Sequence, residues 1–376
     1  MASDKTLANN VPMQGNGFYS SNSALQYAAM LNALPLLSAS VIQKNTNEGK
    51  MQKRHLAAIE YGSAHGNNST LNNIFSELPM KEIIKLTEQS TDVQLHFNDR
   101  PENDFTTLSR NVTGFQWPTE GTRRVFTSMV PQSFYEPVVP PLSVDIGFSL
   151  ACLHHLDHVD PRPEGRSPVD PERQIALRHQ AKKDLRRFLN LRAEEFAPGG
   201  SLVLSFVSKA STGEENYPGP VDACRSALID MVKEGLIPLE VAGEFEVPTY
   251  NRTLEDVRES LEEVKGEWAA EEVYEKKVLH PAVEEFAAKK QAHPQDIDAH
   301  RINYGNTVID WLMAVVGGYF DKMLRLGLGE NYSKANGELL LGEWVKRTKD
   351  KFLEKHDVED VYCWFIYVRL TRLEGQ

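Results

Sequence analysis

Val93-Gln94-Leu95-His96-Phe97-Asn98-Asp99-Arg100-Pro101-Glu102-Asn103-Asp104-Phe105 is the stretch on which the reading of this chain turns. Val93, Leu95 and Phe97 alternate with polar residues, the two-residue period of a strand, and the run ends on Asn98-Asp99. A carboxylate at the carboxyl end of a strand is where an open α/β sheet places a group to hold a ribose. Upstream, Leu56-Ala57-Ala58-Ile59-Glu60-Tyr61-Gly62-Ser63-Ala64-His65-Gly66-Asn67-Asn68 reads as a strand running into a glycine-containing turn. Together the two segments form the ends of a nucleoside cradle.

Outward from this pair the pattern repeats. Strand-like runs occur at Leu56–Glu60, Asp92–Phe97, Arg124–Met129, Leu142–Ser149 and Ser201–Val207, with helical spacing at Ser23–Ser40, Ser69–Leu86 and Glu172–Phe196. Strand alternating with helix predicts an α/β fold, a doubly wound and mostly parallel sheet. Gly199-Gly200 marks a turn that closes the long helix and starts a buried strand. Beyond residue 212 the composition shifts. Residues 221–236 read as an amphipathic helix, Leu254–Gln291 as a long charge-rich helical stretch and Asn303–Leu324 as an apolar helix, and Val361–Val368 reads as a final buried strand. The expected organisation is a cofactor-binding α/β domain over 1–211, a mostly helical cap and substrate region over 212–350, and a closing strand within 351–376 that returns to the sheet.

Composition narrows the function classes. Forty-one basic against 53 acidic side chains give a net charge of −12, which argues against a nucleic-acid partner. Cys152, Cys224 and Cys363 are odd in number and far apart, the pattern of a reduced intracellular protein. No signal peptide and no run of eighteen apolar residues is visible, so the expectation is a cytoplasmic protein without a membrane partner. A dinucleotide site is disfavoured: Glu60 and Asp99 are 39 residues apart, whereas the dinucleotide fingerprint places its acidic residue about 20 residues on. The turn at Gly62 and Gly66, with Ala64 between, is in isolation equally an ordinary strand-to-helix turn.

Further segments carry a resemblance. Gly17-Phe18-Tyr19-Ser20-Ser21-Asn22-Ser23-Ala24-Leu25-Gln26, Phe97–Phe105, Gln132-Ser133-Phe134-Tyr135, Gly199–Leu204, Met231–Ile237, Phe245–Tyr250 and the closing Leu370-Thr371-Arg372 fall in order along the chain. They resemble the motifs of the SABATH methyltransferases, the salicylate, benzoate and theobromine family. The resemblance implies a class I methyltransferase fold with a helical cap, S-adenosylmethionine as cofactor, a small carboxylic acid as substrate and a homodimer. Carried over by position, the cofactor contacts would be Ser23, Glu60, Gly62, Asn68, Asp99, Arg100, Ser133 and Phe134. Glu60 stands where the family usually has aspartate. Arg100 replaces a common leucine, so only its backbone role near the adenine transfers.

On the substrate side the resemblance assigns Gln26 to the grip on the carboxylate and Tyr19, Tyr250 and Trp364 to the pocket. Relatives that methylate carboxylates usually carry a tryptophan shortly after the Ser-Leu of Gly147-Phe148-Ser149-Leu150, and here Cys152 occupies that place. A thiol is a poor donor. His154 or His155 could substitute, since an imidazole donates a hydrogen bond and attracts an anion when protonated; the alternative is that they only cap a helix or edge the pocket. A metal pair is disfavoured because adjacent histidines are expected to point apart and no acidic partner has ligand spacing. The expected activity is therefore carboxyl O-methylation. N-methylation of a heterocycle and a non-catalytic cofactor-binding role are the alternatives, and retention of Gln26 argues against both.

Overall fold

The computed structural model describes residues 22–47, 55–65, 77–87, 91–118, 121, 123–160 and 170–374. In it the two deciding runs become adjacent parallel strands, β1 (His55–Tyr61) and β2 (Asp92–Asp99), paired from His55–Asp92 to Tyr61–Asn98. With β3 (Val125–Pro131), β4 (Val144–Leu150), β5 (Phe196–Val207), β6 (Trp268–Leu279) and β7 (Tyr362–Arg372) they form one sheet in the order β3-β2-β1-β4-β5-β7-β6. The first five strands are parallel, and β7 runs antiparallel to both β5 and β6. Strand order reverses at β1, whose neighbours are β2 and β4. The crevice outside the carboxyl ends of strands at such a reversal is where an open α/β sheet binds its ligand.

Both faces are covered at the centre of the sheet, which is why β1, β4 and β5 read as nearly continuous apolar runs, whereas β2 alternates and the edge strand β3 is only partly buried. On one face, Leu56, Ala58, Val93, Leu95, Phe97, Ile146 and Phe148 pack under α1 (Ala24–Asn47), α2 (Glu77–Leu86) and α3 (Phe105–Gly114). On the other, Ile59, Tyr61, Leu202, Leu204 and Phe206 meet α4 (Pro171–Glu195) and α7 (Leu254–Glu262). The remaining helices α5 (Pro218–Lys233), α6 (Leu239–Gly243), α8 (Pro281–Ala292), α9 (Ile297–Leu328) and α10 (Lys334–Lys355) build the cap. Its centre is Trp344, stacked on Phe320 at 4.4 Å, with the indole N–H donated to Cys224 O at 3.0 Å. Over Ala24–Lys44, α1 is long and apolar enough to cross a membrane, but here it is a core helix. Leu25, Ala29, Ala33, Leu37 and Val41 are buried, Tyr367 Oη donates to Ala29 O at 3.0 Å, and Lys44 pairs with buried Asp145 at 2.9 Å.

Two expectations are corrected. Leu254–Gln291 is not one helical stretch: α7 ends at Glu262, and Trp268–Leu279 is a full-length edge strand before α8 begins. Its Glu and Lys residues suggest a helix, yet charge is how exposed edge strands avoid pairing with other chains, and pairing with β7 from Trp268–Arg372 to Leu279–Tyr362 decides the outcome. Gly199-Gly200 forms no turn before the strand either. β5 starts at Phe196, and the glycines lie inside an irregular stretch where pairing jumps from Val144–Phe196 to Ile146–Ser201. Gly199 has φ +75°, and a Cβ on Gly200 would sit 2.8 Å from Ala197 O.

Candidate active site

Three loops at the carboxyl ends of β1, β2 and β3 are joined through Asn98. Its carbonyl accepts from the N–H groups of Gly62 (2.8 Å) and Ser63 (3.0 Å), and its Nδ2 donates to Val130 O (2.9 Å) and Gln132 O (2.7 Å). A buried amide with both donors satisfied fixes the loops relative to one another. Asn103 Nδ2 donates to Ala64 O at 2.6 Å and Asn111 Nδ2 to His65 O at 2.6 Å, so the loop after β1 is also held from α3 and its approach. The sequence reading gave none of these tethering residues a role. Their only signal is that asparagine is abundant just after the strand.

Within this frame the expected cofactor residues converge. Glu60 is buried at the end of β1. Asp99 ends β2 and accepts from the N–H groups of Ala64 and Arg100, each at 2.7 Å; burial raises its carboxyl pKa while these bonds oppose the rise. Gly62 has φ +85°, and a Cβ there would lie 2.6 Å from Cys152 Sγ and 3.8 Å from Phe134 Cε1. Phe134 stands edge-on to Tyr135 (4.7 Å) and Phe188 (5.8 Å), and its carbonyl accepts from buried Arg192 at 2.6 Å. Ser133 Oγ accepts from Tyr135 N at 3.2 Å, closing the turn that presents Phe134. Asn68 and Tyr19 lie outside the described residues.

The first turn of α1 faces the cap. Ser23 is buried, and Gln26 Oε1 accepts from the indole N–H of Trp311 on α9 at 2.9 Å. Tyr319, two turns along α9 from Trp311, is buried within the field of Arg100, which lowers the phenol pKa against a larger rise from burial. The Arg100 charge is also felt at Cys152 and His155, so this side chain lies near the turn after β4. Trp311 and Tyr319 were not singled out in the sequence. Trp311 is 285 residues from Gln26, and only its place in an apolar helix, where a buried indole N–H needs an acceptor, hinted at a partner.

After β4, the chain turns through Ala151 (φ +58°) and is pinned on several sides. His155 N donates to Cys152 O at 3.0 Å, Tyr135 Oη to His155 O at 3.0 Å, Tyr250 N to His154 O at 2.9 Å, and buried Arg252 Nη1 to Leu153 O at 2.5 Å. In this turn the rings of His154 and His155 lie 4.4 Å apart, contrary to the expectation that neighbours diverge, because the backbone there is neither helix nor regular strand. Nor is either imidazolium available to draw in an anion. Burial, then the neighbouring His155 and Arg252, hold His154 well below the usual histidine range. Burial and the Arg100 charge push His155 down to about 4. Burial, then the carboxylates of Asp99 and Glu60, push the Cys152 thiol up, so it stays protonated.

Two expected pocket residues point elsewhere. The ring of Tyr250 packs against Leu156, Leu177 and Ala181 on the α4 side, leaving its backbone N–H to serve the turn. Trp364 shares a strand face with Ile366 and Val368, which pack in the α4 layer, whereas the alternate Cys363, Phe365 and Tyr367 face α1. Its neighbours are Lys277, 5.9 Å from the ring centre, and Asn216, which accepts its backbone N–H at 2.8 Å.

The arrangement suits S-adenosylmethionine. Asp99 and Glu60 end adjacent strands, Gly62 makes a left-handed turn packed directly against Cys152, and Phe134 supplies an aromatic edge. Ser23 Oγ and Asn98 Oδ1 are buried with no hydrogen-bond partner among the described residues, and buried polar atoms are rarely left unpartnered unless a ligand or water serves them. Comparison with known proteins agrees. A sequence model of the SAM-dependent carboxyl methyltransferases matches residues 9–349. The chain is 51% identical to O-methyltransferase acrG of Aspergillus aculeatus over 99% of its length and 100% of that protein. It is 50% identical to methyltransferase LUC1 of a Fusarium species over 98% of its length and 99% of that protein. The solved structure of a loganic acid methyltransferase with S-adenosylhomocysteine superposes with a TM-score of 0.70 over 97% of this chain and 99% of that one, at 21% identity, and shares its fold. The chain belongs to the family of S-adenosylmethionine-dependent carboxyl methyltransferases.

Proposed function

We propose that this chain converts a small organic acid into its methyl ester. The observation that carries the reading is the protonation state of the pocket. His154 and His155 are held neutral and far below the range of a base working at neutral pH, and Cys152 is held as the thiol. A general base works best with a pKa near the operating pH, and neither imidazole after β4 nor the Cys152 thiol has one. The nucleophile must therefore arrive ready. A carboxylate, with a pKa of about 4, is already ionised at pH 7.

When bound, S-adenosylmethionine supplies a methyl group activated by a sulfonium sulfur. The carboxylate would take that methyl group as the carbon–sulfur bond breaks, leaving an ester and S-adenosylhomocysteine, and the chain would not have to remove a proton. The chain contributes placement and exclusion of water. Glu60, Asp99, Gly62 and Phe134 hold the cofactor, Gln26 holds the acid, and Arg100 adds positive field at the pocket wall.

N-methylation of a heterocycle is the second reading, favoured only by the thiol of Cys152 where a tryptophan donor is usual. Labelled S-adenosylmethionine with a panel of benzoate, salicylate, cinnamate and sorbate separates the two. A base-labile methyl ester supports the first reading; a base-stable methylated product from a heterocycle panel, with no ester, overturns it.

A further inference from the structure

We propose that Trp311 is a positioning residue that locks the side-chain amide of Gln26 with its NH₂ end toward the substrate, making the pocket selective for an ionised acid over a neutral isostere. This deepens, and rests on, the carboxyl-methylation reading. The two ends of a glutamine amide are nearly identical in shape and opposite in hydrogen bonding, so the surroundings decide which end faces a ligand. An indole N–H can only donate. Trp311 Nε1 lies 2.9 Å from Gln26 Oε1, which commits the carbonyl end to the cap. Among the described residues, none accepts a hydrogen bond from Gln26 Nε2, the end left to meet a substrate.

Trp311 is itself fixed. It is 5% exposed, it sits within α9, and its ring is held edge-on by Tyr217 at 5.3 Å and His280 at 5.4 Å. His280 is buried, and burial pushes its pKa down to about 4, so no imidazolium stands beside the indole. A carboxylate offers only acceptor lone pairs and matches an NH₂ donor. A flipped amide would present an oxygen to it and repel it. The tryptophan that relatives carry after β4 is thus absent here, and a different indole acts one residue removed from the substrate, through Gln26.

The test pairs kinetics with a direct probe of the contact. Trp311→Phe keeps the aromatic packing and removes only the N–H. On whichever acid of the benzoate, salicylate, cinnamate and sorbate panel gives most ester, it should raise KM about tenfold while kcat changes less than about threefold, the pattern of a lost substrate grip. Binding of S-adenosylhomocysteine should stay within about twofold of wild type. In a Gln26→Ala background the same substitution should add less than about twofold, because the two residues act as one unit. Equal losses in both backgrounds would mark Trp311 as merely structural and overturn the proposal.

The second measurement needs no substrate. The chain has five tryptophans, and with ¹⁵N-labelled indoles the Trp311 signal is the one missing from Trp311→Phe. Gln26→Ala should shift that signal; an unmoved signal overturns the proposal. The outcomes separate cleanly. Ester formation with an unchanged KM in Trp311→Phe sinks the role of Trp311 and leaves carboxyl methylation standing. No ester from wild type sinks carboxyl methylation, and the indole signal then decides the Trp311–Gln26 pairing alone.

Discussion

Replacing Gly62 by alanine should cripple cofactor binding, and the structure says by how much and through which atoms. The backbone at Gly62 has φ +85°, and the new Cβ would sit 2.6 Å from Cys152 Sγ and 3.2 Å from Cys152 Cβ, about 1 Å inside the ~3.5–4.0 Å optimum for non-bonded atoms at the closer contact. The sulfur has little room to yield, since it is directed at Leu150 O at 3.2 Å and at Gly62 O itself at 3.5 Å. A left-handed backbone costs an L-residue about 1–2 kcal/mol, and forcing an extra methyl into a filled space costs about 1–3 kcal/mol. The sum, roughly 2–5 kcal/mol, falls on the loop that receives the cofactor, so the dissociation constant for S-adenosylhomocysteine should rise at least about 30-fold. Calorimetric titration measures it, with a denaturant midpoint on the same samples to show how much loss is global. Cys152→Ala in the same chain removes the sulfur but leaves both its own Cβ and the strained φ, so affinity should recover about tenfold without returning to wild type. Affinity within threefold of wild type in Gly62→Ala, or no recovery in the double variant, would refute the geometry argued here.

The other predictions test the frame and the corrected residues. Asn98→Ala removes both side-chain donors that tie the β2 loop to Val130 O and Gln132 O, which should cost about 1–3 kcal/mol in denaturant unfolding and weaken cofactor binding as the loops separate. Trp364→Ala should lower stability by about 1–3 kcal/mol yet leave KM for the acid within twofold, because the side chain lies on the opposite sheet face from α1; a tenfold rise would return it to the pocket. Stability should fall as pH drops. His155 and His280 have folded pKa values of about 4 against 6.5 for an ordinary histidine, so between those values the unfolded chain binds protons that the fold refuses. The stabilisation is complete above about pH 6.5 and is lost toward pH 4, on the order of 3 kcal/mol per histidine. Buried Asp184 and partly buried Asp99 and Asp157, whose pKa values desolvation raises, act in the opposite sense at the acid end, so the decline in Tm should be steepest between about pH 6.5 and 5. His280→Asn keeps an acceptor for the Ala282 N–H, which Nδ1 now accepts at 3.2 Å, and should flatten that decline. The methyl-transfer rate at saturating acid should be level between about pH 6.5 and 9, since burial holds His154 and His155 below that range and Cys152 above it; a tenfold rise across that range would reveal a base and refute the ready-made nucleophile.

The sequence by itself determined the parallel half of the sheet, because the signal there is local: continuous apolar runs in β1 and β4, which are buried on both faces, and two-residue alternation in β2. The reading at Val93–Asp99 became β2 with Asp99 at its carboxyl end, and Leu56–Glu60 became the strand beside it. Glu60, Gly62 and Asp99, read from the two strands, and Ser133 and Phe134, named by the family resemblance, lie at or just beyond the carboxyl ends of β1, β2 and β3. What the tertiary structure alone decided has a common physical reason: each such feature depends on a partner far away in sequence. Trp268–Leu279 is a strand because β7 pairs with it, against its own charge-rich composition. Trp364 leaves the pocket because the two-residue alternation of β7 is anchored by which residues α1 covers. His154 and His155 are neutral because the turn around them is desolvated and lies in the field of Arg252 and Arg100. The indole that meets Gln26 comes from α9, 285 residues away, and no local pattern encodes a contact that only the closure of the cap over the sheet creates.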